Sequence, residues 1–276
     1  MLQLSKLAMR GRRPAVAVKP LLNLGCGHRR HPDWTNADLA PSAADVLAVD
    51  LRRPLPFAAA SFTAVYASHV LEHLVPVEAD RLLREARRVL APGGILRIVV
   101  PDLEGIARGY LASIDAAAGG GEEARWRHRW MIVELLDQLV RGRSGGVMRR
   151  WWSCDPIPCR TLIESRLGAE ATAAMTALAN ARARDGTPPA APEAILMAEP
   201  VATGAAVRFA GRGERHQWMY DRVSLADLLT ATGFTAARRV GPVESAIPGF
   251  SAYELDADAQ ARPHKPDSLF MEAVRP

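Results

Sequence analysis

Hydrophobic positions in the first part of the chain come in short runs that end in turns. Leu21-Leu22-Asn23-Leu24 is one such run, and it enters Gly25-Cys26-Gly27. Glycine has no Cβ to hold a ligand off and tolerates positive φ, so this turn lets backbone approach a bound group. A polar, irregular stretch follows from His28 to Trp34, and Ala37-Asp38-Leu39 then stops at Ala40-Pro41. Ala44 to Leu51 reads as the next strand, with Asp45 and Asp50 bracketing Val46-Leu47-Ala48-Val49. Pro54-Leu55-Pro56-Phe57 is a rigid loop. Phe62-Thr63-Ala64-Val65-Tyr66 is a further strand, opening into Ser68-His69-Val70-Leu71-Glu72-His73.

From Val77 to Leu90 the period lengthens to that of a helix. Leu82, Leu83, Ala86, Val89 and Leu90 share one face and Arg81, Arg84, Arg87 and Arg88 the other. Ala91-Pro92-Gly93-Gly94 stops that helix. Ile95 to Val100 is then a nearly continuous apolar strand of the kind buried on both faces of a parallel sheet, ending at Pro101-Asp102. Strand, helix and strand in alternation predict a doubly wound α/β sheet.

The pattern changes after Leu103. Residues 103–208 hold helical stretches without a clear strand: Trp126, Trp130, Val133, Leu136 and Val140 recur at helical spacing, and a second helix covers Thr161 to Arg184. This is a helical insertion, read as a lid or an oligomer contact, and Thr187 to Pro192 is a stiff, extended link. Regular structure returns near His216-Gln217-Trp218-Met219-Tyr220-Asp221. Ser224 and Asp227 form the outline of a capping box, and Gly233 closes that helix. Phe234–Val240 and Ser268–Val274 are the last two strands. The predicted organisation is an N-terminal arm over 1–19, an α/β half over 20–102, the insertion over 103–208 and the rest of the α/β domain over 209–276.

Composition changes this picture little. Lys plus Arg number 35 against 30 acids, a net charge of +5, and lysine occurs only at 6, 19 and 265. The arginines are spread among acids and no RNA-reading motif accompanies them, so nucleic acid is not the expected partner. No run of apolar residues is long enough for a membrane span, and the basic start lacks the apolar core of a signal peptide. Three cysteines, Cys26, Cys154 and Cys159, have no disulfide-scaffold spacing and fit a reducing cytoplasm. No further ligands accompany Cys154 and Cys159, so no metal site is expected there.

Taken in order, Leu22-Asn23-Leu24-Gly25-Cys26-Gly27, Leu55-Pro56-Phe57 with Ser61-Phe62, Val70-Leu71-Glu72-His73, Glu85 to Gly94 and Ile95 to Asp102 resemble the class I S-adenosylmethionine-dependent methyltransferases. Within that class the chain is similar to the bacterial group related to the ubiquinone and menaquinone C-methyltransferases. The resemblance covers about 20–102 and, more loosely, 216–276. It implies a seven-stranded, mostly parallel, Rossmann-like sheet and S-adenosyl-L-methionine as cofactor. Ligands of such sheets lie beyond the carboxyl ends of the strands. It therefore implies cofactor contacts from Asn23, Gly25, Cys26 and Gly27 on the methionyl part, Asp38 and Leu39 on the ribose, Asp50 and Leu51 on the adenine, and Ser68 beside the methionyl group. Three positions depart from the pattern: Asn23 stands for an acid, Arg29 for a third glycine and Thr63 for an aspartate. The first crossover, from Gly27 to Ala37, is short for a helix. Gly25-x-Gly27 without a further glycine also speaks against a nicotinamide enzyme.

Methyl transfer from a sulfonium is an in-line displacement that needs alignment and, for a hydroxyl acceptor, a base. His69, Glu72 and His73 at the exit of the fourth strand are the catalytic candidates, His69 first because it is nearest the strand tip. Asp102, His216, Tyr220 and Asp221 are candidates for the acceptor pocket, although the last three also read as a helix entry packed by Trp218. The expected reaction is O-methylation of a sugar or glycosylated metabolite in polysaccharide or secondary metabolism. N- or C-methylation of a small molecule, and a non-catalytic cofactor-binding scaffold, remain as alternatives. The expected partners are the acceptor and, through the insertion, a second copy of the chain.

Overall fold

A parallel strand pair needs a crossover to return the chain to the same edge, and here that requirement sets the order of elements. The computed structural model describes residues 18–196, 204–205, 209 and 213–276. Most of the 1–19 arm and the end of the insertion lie outside the described residues. The strands are β1 (Leu21–Leu24), β2 (Thr35–Asp38), β3 (Val46–Ala48), β4 (Phe62–Ser68), β5 (Leu90–Pro101), β6 (Thr235–Arg239) and β7 (Ser268–Val274). They form one seven-stranded sheet in the order β3-β2-β1-β4-β5-β7-β6. β7 is antiparallel to both of its neighbours and the other pairings are parallel. The chain therefore reverses direction beside β1, and the crevice beyond the tips of β1 and β4 is where such a sheet holds ligands.

Side chains alternate across this sheet and bury two separate faces. Leu96, Ile98 and Val100 meet helix α1 (Pro76–Val89) and the later helix over Arg222–Ala231 on one side. On the other side Tyr66, Val99 and Phe270 meet Trp34, Ile247, Phe250 and Leu255. The short crossover from β1 to β2 holds no helix, and Trp34 helps close that face, edge-on to Tyr66 and Tyr253.

The arginine face of α1 does more than meet solvent. Arg88 donates to the carbonyls of Leu55 and Phe57, while Glu85 accepts from the Leu55 amide. The Leu-Pro-Phe loop is thereby fastened to the helix. The Pro92-Gly93-Gly94 stretch, expected only to stop α1, lies inside β5 at a register shift between Phe62 and Ala64 of β4. A Cβ on Gly94 would lie 2.8 Å from the Ala91 carbonyl oxygen, so the irregular strand needs glycine there.

Between β5 and the later strands run α2 (Leu103–Ala118), α3 (Glu122–Val140), α4 (Gly146–Trp151) and α5 (Arg160–Asp185). They enclose a second core in which Trp130 and Trp151 meet edge to face beside Ile163 and Met175. The stripe predicted on α3 is only partly the buried one. Leu136 and Val140 stand exposed, whereas Glu134 and Asp137 are buried with Trp130 and Val133. Ion pairs make this possible: Arg166 meets Glu134, and Arg141 donates to Asp137 at 2.7 Å. Helix α5 breaks at Gly168, with φ of 73°, where a Cβ would lie 2.6 Å from the His264 carbonyl. That close approach brings the 264–267 segment beside α5. The last helix, α6 (Arg222–Ala231), is capped by Asp221, whose carboxylate accepts from the amides of Val223 and Ser224. It thus begins before the predicted Ser224 box, with Ser224 as the third residue of the first turn.

Candidate functional site

The turn after β1 has the backbone that its glycines suggest. Gly25 and Gly27 have φ of 65° and 53°. A Cβ on Gly25 would lie 2.3 Å from Val70 Cγ2, while one on Gly27 would meet nothing within 4 Å and would project into open space. The carbonyl of Ala37 accepts the amides of Gly25 and Cys26, tying the turn to β2. Asn23 donates both amide hydrogens, to Arg29 O at 3.0 Å and Asn36 Oδ1 at 3.1 Å, which leaves its own carbonyl oxygen to accept. Cys26 is buried; burial, helped by the nearby Asp38 charge, pushes its thiol up to about 11. It is an inert wall rather than a nucleophile.

Two cavities lie against this turn and a third adjoins them at His69. The first, about 590 Å³, is lined by Asn23, Gly25, Cys26, Gly27 and Ser68 together with residues of α5 and the C-terminal segment. The second, about 330 Å³, has Gly25, Asp38, Leu39, Asp50 and Leu51 on its walls. The third, about 350 Å³, lies under the insertion, with Glu134, Arg141, Glu170, His216, Lys265 and Asp267 among its lining residues. His69 borders all three.

All nine residues expected to touch the cofactor thus line the first two cavities. The two carboxylates are already engaged. Asp38 accepts the amides of Gly27 and Ala40, each at 2.9 Å. Asp50 is gripped by Arg52 at 2.9 and 3.1 Å, and that bond holds its carboxyl below the usual range. Asp50 Oδ1 also accepts the Arg52 amide at 3.1 Å, so Asp50 offers a further donor only its Oδ2, while both oxygens of Asp38 keep a lone pair. Arg29, where the family pattern has glycine, reaches Glu170 of α5 at 2.6 Å and bridges the crossover loop to the insertion.

His69 sits at the tip of β4 in the left-handed region, with φ of 53°. A non-glycine residue is costly there and is kept only where its surroundings fix it. Its amide donates to Val99 O, its Nδ1 stands 3.1 Å from Glu72 Oε1, and its Nε2 stands 3.0 Å from Ser268 Oγ. Glu72 lies in a three-residue 3-10 turn, Leu71–His73, with no exposed surface. Burial alone would raise its acid, but contact with His69 and the charges of His73 and His216 outweigh this and hold it at about 2. His216 is pushed down to about 3, chiefly by burial. Asp267 is raised to about 6, by burial and by the charge of Glu134.

Of the expected acceptor residues, His216 alone lines the third cavity. Asp102 forms a bridge to Tyr220 and pairs with Arg239 at 3.2 Å. Tyr220 is packed in the sheet core, and Asp221 is the cap of α6. These three hold the last helix against the sheet and border none of the three cavities. Their places are instead taken by Glu134, Arg141, Glu170, Lys265 and Asp267. Nothing local marks those five residues in the sequence, because α3, α5 and the C-terminal segment meet only on folding.

Residues 33–98 match the family model for a methyltransferase domain, a stretch from the end of the first crossover to β5. No curated protein matches the chain. Among solved structures, a SAM-dependent methyltransferase from Thermotoga maritima is 11% identical over 93% of this chain and 81% of its own, with a TM-score of 0.42. The [4+2]-cyclase SpnF is 28% identical over 30% of this chain, with a TM-score of 0.26, and the match spans 39% of the cyclase. SAM-bound CalS10, an amino pentose methyltransferase from Micromonospora echinaspora, is 25% identical over 29% of this chain and 42% of its own, with a TM-score of 0.24. Among the described residues, no helix is long and apolar enough to cross a membrane.

Proposed function

We propose that this class I S-adenosylmethionine-dependent methyltransferase delivers its methyl group to a hydroxyl of a sugar or glycosylated metabolite, with His69 as general base. The observation that carries the reading is that His69 borders both cofactor-side cavities and the polar cavity beneath the insertion. When bound, the cofactor supplies an electrophilic methyl on a sulfonium. Gly25, Cys26, Gly27 and Ser68 form the methionyl cradle, with the Asn23 carbonyl oxygen accepting from the amino group. Asp38 and Leu39 serve the ribose, and Asp50 and Leu51 serve the adenine. The open space at Gly27 supports this fit, since a Cβ there would fill the cradle.

An attacking hydroxyl must lose its proton as the new bond forms. The Glu72 carboxylate beside Nδ1 favours the proton on that nitrogen, leaving Nε2 basic and already next to one hydroxyl, that of Ser268. The third cavity carries Glu134, Gln138, Arg141, Lys265 and Asp267. Such a lining suits an acceptor with many hydroxyls, because these polar groups have hydrogen-bonding capacity beyond their present ion pairs and an apolar acceptor would take it out of water unused. Helices α3, α4 and α5 supply much of that lining, so we read these helices of the insertion as a lid over the acceptor.

Incubation with methyl-labelled cofactor and a panel of nucleotide sugars, amino sugars and phenols tests the reading. Label on a sugar oxygen is expected. Label only on nitrogen or carbon overturns the hydroxyl assignment, and binding without any transfer favours a scaffold.

Gly25→Ala and Gly27→Ala separate strain from crowding. Both need left-handed alanine, a cost of roughly 1–2 kcal/mol, and both should weaken cofactor binding measured by calorimetry. Gly25→Ala also drives its Cβ into Val70, so it should lose the more stability in a thermal melt. Equal melting points for the two variants would remove Val70 from the account.

A further inference from the structure

A carboxylate with no exposed surface normally has its oxygens satisfied, and those of Glu72 do not. Neither Oε1 nor Oε2 has a hydrogen-bond partner; His69 Nδ1 stands 3.1 Å from Oε1 without hydrogen-bond geometry. A few ångströms away, His216 is buried and its Nδ1 also lacks a partner. His73 completes the group. Its Nε2 is 3.9 Å from Glu72 Oε1 and its ring meets that of His216 edge-on at 4.9 Å. One ligand atom from each of Glu72, His73 and His216 can be chosen so that all lie within 4.8 Å of one another.

We propose that Glu72, His73 and His216 form a site for a divalent first-row transition-metal ion such as Zn²⁺. Two imidazoles and one carboxylate form a donor set suited to zinc, iron or manganese and poorly suited to magnesium or calcium. Bonds of roughly 2.0–2.1 Å around a tetrahedral ion put ligand atoms about 3.3 Å apart. The three groups therefore need to close by no more than about 1.5 Å, which side-chain rotation provides.

The surrounding structure resembles the support such ligands need. The Nδ1 of His73 faces the Arg215 carbonyl at 3.4 Å, which turns Nε2 toward the site. The Glu72 carbonyl accepts the amides of Gln217 and Trp218 at 2.6 and 3.2 Å, so the 3-10 turn is fastened beside His216. The His216 amide is itself held by Gln138 O at 3.0 Å. A carboxylate has two oxygens, so one serves the ion while the other keeps its contact with His69. His69 stays outside the ligand set because its Nε2 is engaged with Ser268. All three ligands line the third cavity, so the remaining coordination positions open toward it.

The site stands apart from the choice of methyl acceptor and is tested without turnover. The full chain, stripped with a chelator and dialysed, is titrated with Zn²⁺ alone by calorimetry; Co²⁺ is then substituted and followed by its visible absorption. One equivalent should bind with Kd below about 1 μM, and Co²⁺ should give the intense visible bands of a four-coordinate site. His73→Ala, partly exposed and so the safest substitution for folding, should weaken Zn²⁺ by at least tenfold, and His216→Ala likewise. His28→Ala, outside the site, should not. No binding below about 100 μM, or equal binding by wild type and His73→Ala, overturns the proposal.

Discussion

Replacing His69 with alanine is expected to lower kcat by roughly 10²–10⁴-fold, the usual worth of a positioned base. Cofactor affinity should change far less, because the residues proposed to grip the nucleoside, Asp38, Leu39, Asp50 and Leu51, are untouched. Single-turnover kinetics with a hydroxyl acceptor, set beside calorimetric titration of the cofactor, measures the two quantities separately. A variant that binds normally and turns over at the wild-type rate would remove His69 from the chemistry. Asp267, held near 6 in the same cavity, would then be the next group to replace. The backbone gives a second readout. His69 holds a left-handed conformation that glycine adopts freely, so His69→Gly should cost less stability than His69→Ala while losing as much activity.

Arg97→Met should destabilise the fold by roughly 3–5 kcal/mol, the range for removing one partner of a buried ion pair. Arg97 lies in the middle of β5 with no exposed surface. It donates to Asp256 at 2.7 Å and Glu272 at 2.9 Å, reaches the carbonyls of Gly241, Pro242 and Glu244, and sits over the Phe250 ring at 4.4 Å. Methionine fills much of the volume but leaves two buried carboxylates without their shared cation. Burial already raises Asp256, in spite of Arg97 and its bond to Tyr66, so losing the guanidinium should drive it toward the neutral acid. The melting temperature should fall by roughly ten degrees. Replacing Asp256 and Glu272 by leucine in the same variant should recover part of that loss, since apolar groups need no counter-charge. A melting point within a degree or two of wild type for Arg97→Met alone would show that the network contributes nothing.

The Arg97 network also marks the limit of reading a strand by its composition. Ile95 to Val100 has the apolar run of a strand buried on both faces, and β5 is buried on both faces. Its one charged member is buried as well, because β7 and the 241–256 segment bring two acids and three carbonyls to it. Those partners lie 144 or more residues away in the chain, and no window around residue 97 contains them. The α3 stripe differs for the same reason. A stripe drawn from apolar positions leaves out Glu134 and Asp137, which are buried because Arg166 and Arg141 meet them.

The strand segments along the α/β half, the helix over Pro76–Val89, the glycine turn and the closeness of His69, Glu72 and His73 were all determined by the sequence alone. Each depends on neighbours within a few residues: alternation for a strand, a three-to-four spacing for a helix, a missing Cβ for a tight turn. Tertiary structure alone decided that β7 runs antiparallel between β5 and β6, that Asp102, Tyr220 and Asp221 fasten α6 rather than line a cavity, and that His216 comes beside Glu72. It also decided which residues of the insertion line the cavity under it. Those outcomes rest on contacts between segments far apart in the chain, and local periodicity carries no record of which distant segment will meet which.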